Sequence, residues 1–353
     1  MMTHTERLHR LLAGRPVDRP LYAAWGHVMN LSDRNAKDFA KATIDFQNAN
    51  EFDFIKIMSN PYYLIEDTGI VLRPPAHYAD SISRCSNSLP IKKAEDWERL
   101  SYPEVGKGAL AREQDAIRRV VDHYQGDVPV IATIFTPMMW LSYLAIPSEQ
   151  MDVAEQTEGS TVRLLERYLT KNERLAGQAL ERLAQINQEY MSALLEEGVS
   201  GFFYCTEYAR SEWSDRALFD QFERQYDLKT LNAVHKKSEF NILHVCGNHA
   251  LAMDWVLDYP VEAINWDDQR SKNPSLGEVR EKTDKILVGG LDRLHDFSGV
   301  DREMIKTTLQ KKILEAQKQA GQKLIISGGC DWKLDATYRF YIWQEVIEEL
   351  SAR

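Results

Sequence analysis

Eight short apolar runs, separated for the most part by stretches of helical periodicity, constrain this 353-residue chain more than any other feature. They are Leu21–Trp25, Asp53–Met58, Asp127–Phe135, Val199–Tyr204, Asn241–Cys246, Val261–Trp266, Lys285–Val288 and Lys323–Ser327. Runs this short that lack alternating polarity fit strands buried on both faces, as in a parallel sheet. Helical patterning lies between them around 38–49, 161–197, 218–238, 250–258 and 302–320. In the second of these, Ala176, Leu180, Leu183, Tyr190 and Leu194 recur at helical spacing. Met138 to Ile146 reads as a buried helical turn after the third run. The expected fold is α/β, a single (β/α)8 TIM barrel over residues 1–353, with its active site in the loops after the strand ends. Residues 73–108 are rich in Pro, Ser and charge without a period, so an excursion is expected there. Cys85 falls in it and receives no role.

Two of the runs end in soft metal ligands. The stretch Asn241-Ile242-Leu243-His244-Val245-Cys246-Gly247 places a histidine and a cysteine two residues apart. On a strand that spacing puts both side chains on one face, where they can grip one ion. A zinc site needs further ligands, three plus an open position for catalysis or four for structure. The eighth run, ending Ser327-Gly328-Gly329-Cys330, supplies a third candidate in Cys330. Read singly, His244 is an interior histidine and each cysteine a small buried hydrophobe. Three such groups at two strand ends favour a metal. Glu207 after the fourth run and Asp267 or Asp268 after the sixth offer oxygen donors for a fourth position. His249, beyond the glycine turn, is expected in a surface or capping role.

Composition narrows the function classes. A net charge of −10 and a pI near 5.5 argue against nucleic acid and anionic membrane as partners, which attract basic surfaces. The start lacks the apolar stretch of a secretory signal and no later run reaches membrane-spanning length, so a cytoplasmic protein is expected. Four scattered cysteines, at 85, 205, 246 and 330, fit a reduced compartment in which thiols are available to a metal.

The order of features resembles the uroporphyrinogen decarboxylase superfamily. The matching stretches are Gly14-Arg15-Pro16-Val17-Asp18-Arg19-Pro20, Gly198-Val199-Ser200-Gly201-Phe202-Phe203, His244-Val245-Cys246-Gly247, Gly289-Gly290-Leu291-Asp292 and Ser327-Gly328-Gly329-Cys330. The decarboxylase branch carries an arginine-rich motif after the first strand, of the type Phe-Met-Arg-Gln-Ala-Gly-Arg-Tyr. Here the corresponding place reads Ala24-Trp25-Gly26-His27-Val28-Met29-Asn30, and the second strand runs into Met58-Ser59-Asn60 where that branch has a catalytic aspartate. A substrate with many carboxylates would lose its counter-charges. The other branch holds the zinc-dependent corrinoid methyltransferases, of the methylcobamide:coenzyme M type, whose pattern is His-x-Cys and a distant Cys. That resemblance implies Zn2+ held by His244, Cys246 and Cys330. It also implies methyl transfer between a corrinoid, presented by a corrinoid protein, and a thiol or another small methyl donor or acceptor.

Three rivals stand beside this expectation. A metal-free decarboxylase or lyase would use His27, Asp292 or tyrosines as acid and base. A phosphate-binding barrel would use Gly289-Gly290 and Gly328-Gly329. A non-catalytic binding protein would use zinc, with four ligands, for stability.

Overall fold

The computed structural model describes residues 2–26, 34–73, 83–151, 161–332 and 334–351. Eight parallel strands form one curled sheet: β1 Leu21–Tyr22, β2 Ile55–Lys56, β3 Val130–Phe135, β4 Gly201–Thr206, β5 Ile242–Val245, β6 Ala263–Trp266, β7 Ile286–Leu291 and β8 Leu324–Gly328. Their order runs β1-β8-β7-β6-β5-β4-β3-β2, the sequence of a (β/α)8 barrel opened at the β1/β2 seam. Every residue of β4 to β8 is buried, which is why these runs are apolar without alternation. Helices cover the outside and complete a contiguous core that draws on every strand. Among the described residues no helix is long and apolar enough to cross a membrane.

The seam explains the Gly14–Pro20 stretch and the short β1 and β2. The Asp53 backbone N–H donates to the Tyr22 carbonyl (3.0 Å), and the Asp53 carboxylate accepts the Tyr22 N–H (2.9 Å). A side chain thus does part of what a strand ladder does elsewhere. That carboxylate is fully buried and is held by Arg19 (2.6 and 2.9 Å), Arg7 (2.7 Å) and His4 (3.2 Å), while Arg7 also pairs with Asp18 (2.8 Å). The cluster occupies the N-terminal end of the barrel, away from the metal-ligand candidates.

Several expected helices differ in detail. The stretch 161–197 is two helices, Thr161–Lys171 and Glu173–Glu196, broken at Asn172, whose side chain donates to the Tyr168 carbonyl and competes with the backbone. The helix expected over 250–258 is a single tight turn, Met253–Trp255, because Ala250 adopts a left-handed φ of 58° that no helix accommodates. The helix at 216–232 carries a π-helical segment, Asp220–Arg224. The excursion contains an antiparallel ribbon, Leu72–Arg73 with Ser83–Arg84, and short turns, and Cys85 in it is buried. Helices His4–Leu12, Gly108–Tyr124 and Phe340–Ser351 were not anticipated from periodicity. His27 lies outside the described residues.

Candidate metal centre

At the C-terminal end of the barrel, β5 presents His244 inward and Cys246 follows it on the same face, as strand alternation requires. Gly247 then turns the chain with φ 149° beside the Arg210 guanidinium. Cys330 arrives from β8, three strands around the barrel. It gets there because the chain after β8 lies flat across the end of β6. A Cβ on Gly329 would sit 2.0 Å from the Asp267 Cα, so only glycine allows the approach. The Cys246 and Cys330 sulfurs are 3.9 Å apart, and the ligand atoms of His244, Cys246 and Cys330 all lie within 4.8 Å of one another.

One amide braces this arrangement from below. Asn265, fully buried in β6, donates through Nδ2 to the Val288 carbonyl of β7 (2.8 Å) and the Gly328 carbonyl of β8 (3.1 Å). Both donors spent on carbonyls leave Oδ1 as the acceptor facing His244 Nδ1, at 2.6 Å. The imidazole is therefore assigned its proton on Nδ1, which turns the Nε2 lone pair toward the thiols. Phe203 packs along the ring with centroids 5.1 Å apart. Hydrogen bonding from Cys246 holds the Cys330 thiol well below its usual range, against burial and aided by His244, while Cys246, donating that bond inside the protein, is pushed up. A soft cation with neutral imidazole preference matches these donors. Asn265→Ala is expected to lower zinc affinity about 10- to 100-fold, the usual cost of losing an outer hydrogen bond to a ligating histidine. Competition with a chromophoric chelator measures it, and unchanged affinity would remove Asn265 from the site.

The other candidates take different positions. Both Asp267 carboxylate oxygens face arginines, Arg270 at 3.3 Å and Arg293 at 3.3 Å, and the residue stands outside the three-ligand group. Glu207, one residue beyond β4, is also outside it and accepts from the Tyr143 hydroxyl at 3.4 Å. Asp268 is buried, which pushes its carboxyl up to about 6, and it accepts the Gly290 N–H at 3.1 Å. Gly289 and Gly290 belong to β7, and a Cβ on Gly289 would lie 2.6 Å from that carboxylate. A carboxylate already occupies the amide a phosphate would need. Asp292 is held by Arg270 (2.5 Å) and His295 (2.9 Å). His249 faces Glu212 at 3.6 Å. Cys205, in register with His244, is buried, and that burial pushes its thiol well up.

Two cavities meet at the thiols. One, of about 220 Å3, has aromatic walls that include Trp25, Tyr62, Phe135 and Phe203. The other, of about 300 Å3, is bordered by Arg210, Asn248, His249 and Arg293. Glu207, Cys246 and Cys330 border both. A larger cavity of about 380 Å3 lies at the opposite end of the barrel, against Arg15–Leu21, and has no histidine or cysteine among its lining residues. Asn265 and Lys56 belong to no sequence motif, and their one signal in the sequence is that each is a polar residue inside a largely apolar strand run.

The family model described as Uroporphyrinogen decarboxylase (URO-D) matches residues 3–338. The methylcobamide:CoM methyltransferase MtbA of Methanosarcina mazei is 21% identical over 226 residues, covering 64% of this chain and 61% of that protein. MtbA of Methanosarcina acetivorans is 20% identical over 202 residues, covering 57% and 54%. The chain therefore matches somewhat over half the length of these relatives. Among solved structures, a methyltransferase from Methanosarcina mazei superposes with TM-score 0.76 at 18% identity, covering 99% of both chains. A B12-independent methionine synthase from Shewanella sp. W3-18-1 gives TM-score 0.57 at 11% identity, covering 90% and 88%. These likenesses carry the barrel fold. With the family match running through nearly all of it, from the first helix past β8, the chain belongs to the uroporphyrinogen decarboxylase (URO-D) family.

Proposed function

We propose that this protein is a zinc-dependent methyltransferase that moves a methyl group between a corrinoid, carried by a partner protein, and a small thiol or comparable methyl donor or acceptor. The observation that carries the proposal is the convergence of His244, Cys246 and Cys330 within 4.8 Å at the junction of two cavities. Three protein ligands beside open space are the pattern of a catalytic zinc site, whereas a structural site closes with four. The names of the MtbA relatives agree with this chemistry.

Zinc, when bound there, supplies the positive charge that ionises a substrate thiol near neutral pH. The chain's own groups do the rest. Asn265 orients the imidazole, and the aromatic walls exclude water from the transferring methyl group. Glu207, bordering both cavities, is the carboxylate placed to receive the thiol proton. In the thiol-methylating direction the new sulfur–carbon bond forms as the carbon–cobalt bond breaks, and the electron pair stays with cobalt. The reverse direction regenerates the methylcorrinoid. Uroporphyrinogen decarboxylation fits less well, because among the described residues bordering the aromatic cavity Lys56 is the single cation. A substrate with many carboxylates needs several.

The test is demethylation of methylcobalamin or a methylated corrinoid protein by the zinc-loaded enzyme in the presence of thiols, followed by the cobalamin spectrum. Cys246→Ala should slow it by about two orders of magnitude or more, since Lewis-acid stabilisation worth several kcal/mol is lost. No turnover with any cognate corrinoid protein, together with no spectroscopic sign of thiol binding at the metal, would overturn the proposal.

A further inference from the structure

Lys56 ends β2 and projects into the aromatic cavity that holds His244 and the two thiols. Its side chain is 9% exposed, yet its ammonium has little to bond with. The nitrogen lies 4.8 Å from the Phe203 ring centroid and 5.8 Å from that of Trp25. An Asp331 oxygen is 4.0 Å away, beyond hydrogen-bond reach. Among the described residues no group accepts a hydrogen bond from it. An ammonium carries three donors, and these face the cavity, where a ligand can supply the acceptors that the surrounding side chains do not. Phe203 is the shared neighbour, stacked on His244 and lying under the ammonium. The cation thus faces the cavity about one aromatic ring from the metal-binding imidazole.

We infer that Lys56 is a specificity-determining residue that pairs with an anionic end group of the small substrate while the substrate's sulfur lies at the thiol–imidazole cluster. The inference rests on the thiol-transfer function proposed above and adds a charge rule to it. Glu207 and Asp331 also border the cavity, so counting charges does not decide the sign. Hydrogen-bond capacity does: Tyr143 donates to Glu207, whereas Lys56 is the donor still lacking acceptors. The aromatic faces of Trp25 and Phe203, which would otherwise attract an alkylammonium, already hold an ammonium. A methylamine or quaternary amine entering this cavity meets like charge on the surface that would bind it. Anionic substrates are selected and cationic ones rejected.

The test uses three thiols of nearly equal length, 3-mercaptopropionate, 2-mercaptoethanol and cysteamine, titrated into the cobalt(II)-substituted protein. Binding is read from the sulfur-to-cobalt charge-transfer band, with affinities corrected for each thiol's ionised fraction. The wild-type protein should bind 3-mercaptopropionate about tenfold more tightly than 2-mercaptoethanol, as one charge-assisted hydrogen bond implies, and cysteamine most weakly. Lys56→Met should abolish the carboxylate advantage while leaving metal content and 2-mercaptoethanol affinity unchanged, and Lys56→Glu should reverse the order. Equal binding of all three by the wild type, tighter binding of cysteamine, or an order that survives Lys56→Met overturns the role of Lys56 while leaving thiol binding intact. A cobalt spectrum that no thiol perturbs overturns the thiol-transfer function itself and the charge rule with it.

Discussion

Cys330→Ser is expected to leave the barrel folded and to weaken zinc binding by more than the ~10- to 100-fold expected for an outer-shell change. The serine hydroxyl is a poor substitute for a thiolate, which is the form that binds the metal. Cys330 lies after the end of β8, outside the apolar core, so its sulfur contributes to the site and little to packing. The two sulfurs are 3.9 Å apart, and removing one also removes the hydrogen bond that lowers the Cys330 thiol. The wild-type protein, isolated without added metal or chelator, should carry about one zinc per chain. Elemental analysis of both proteins, with circular dichroism as the control for folding, checks the expectation. Full zinc content in the serine variant would make Cys330 an ordinary thiol.

Asp53→Ala should destabilise the fold by about 3–5 kcal/mol, the usual cost of removing one partner from a buried ion pair. The substitution leaves Arg7, which is 2% exposed, with Asp18 as its remaining carboxylate partner, and removes the carboxylate that takes the Tyr22 N–H across the β1/β2 seam. Asp18→Ala should cost less, since its carboxylate is 28% exposed and touches Arg7 but not the seam. Chemical denaturation midpoints measure both, and a loss under 1 kcal/mol for Asp53→Ala would show that the seam is held by packing alone. The same cluster sets an acid limit. Burial raises the Asp53 carboxyl, but His4, Arg19 and Arg7 outweigh it and hold the group below its usual value. Asp18, likewise raised by burial and lowered by Arg7 and the Met2 amide, is held at about 2. Depressed carboxylates stabilise the fold fully above their unfolded pKa and lose that contribution as pH falls through the folded one. For Asp18 that window runs from just under 4 down to about 2. Asp53→Ala should flatten the acid dependence of stability below pH 4.

The resemblance to the decarboxylases, legible in scattered glycine and proline stretches, proves to consist largely of structural devices. Asp18 and Arg19 belong to the seam cluster, and Gly329 allows the β8 end to lie against Asp267. Gly289 makes room for the buried Asp268 carboxylate. Such positions mark a fold and leave the reaction open, because chemistry resides in side chains at the strand ends.

What the order of residues determined by itself was local. Apolar runs bounded by turn residues marked all eight strands, and the two-residue spacing of His244 and Cys246 placed both on one strand face, since alternation is a property of any extended chain. Relations between distant strands were decided by the tertiary structure alone. The meeting of Cys330 with Cys246, 84 positions apart in sequence, depends on how the ring of strands closes and on one glycine's approach to Asp267. The choice of Asn265 as the group that orients His244 depends on the register of β5 against β6 and on carbonyls supplied by β7 and β8. Asp267, beside Arg270, meets Arg293 for the same reason: charges distant in sequence find one another in space, and no periodicity along the chain records that distance.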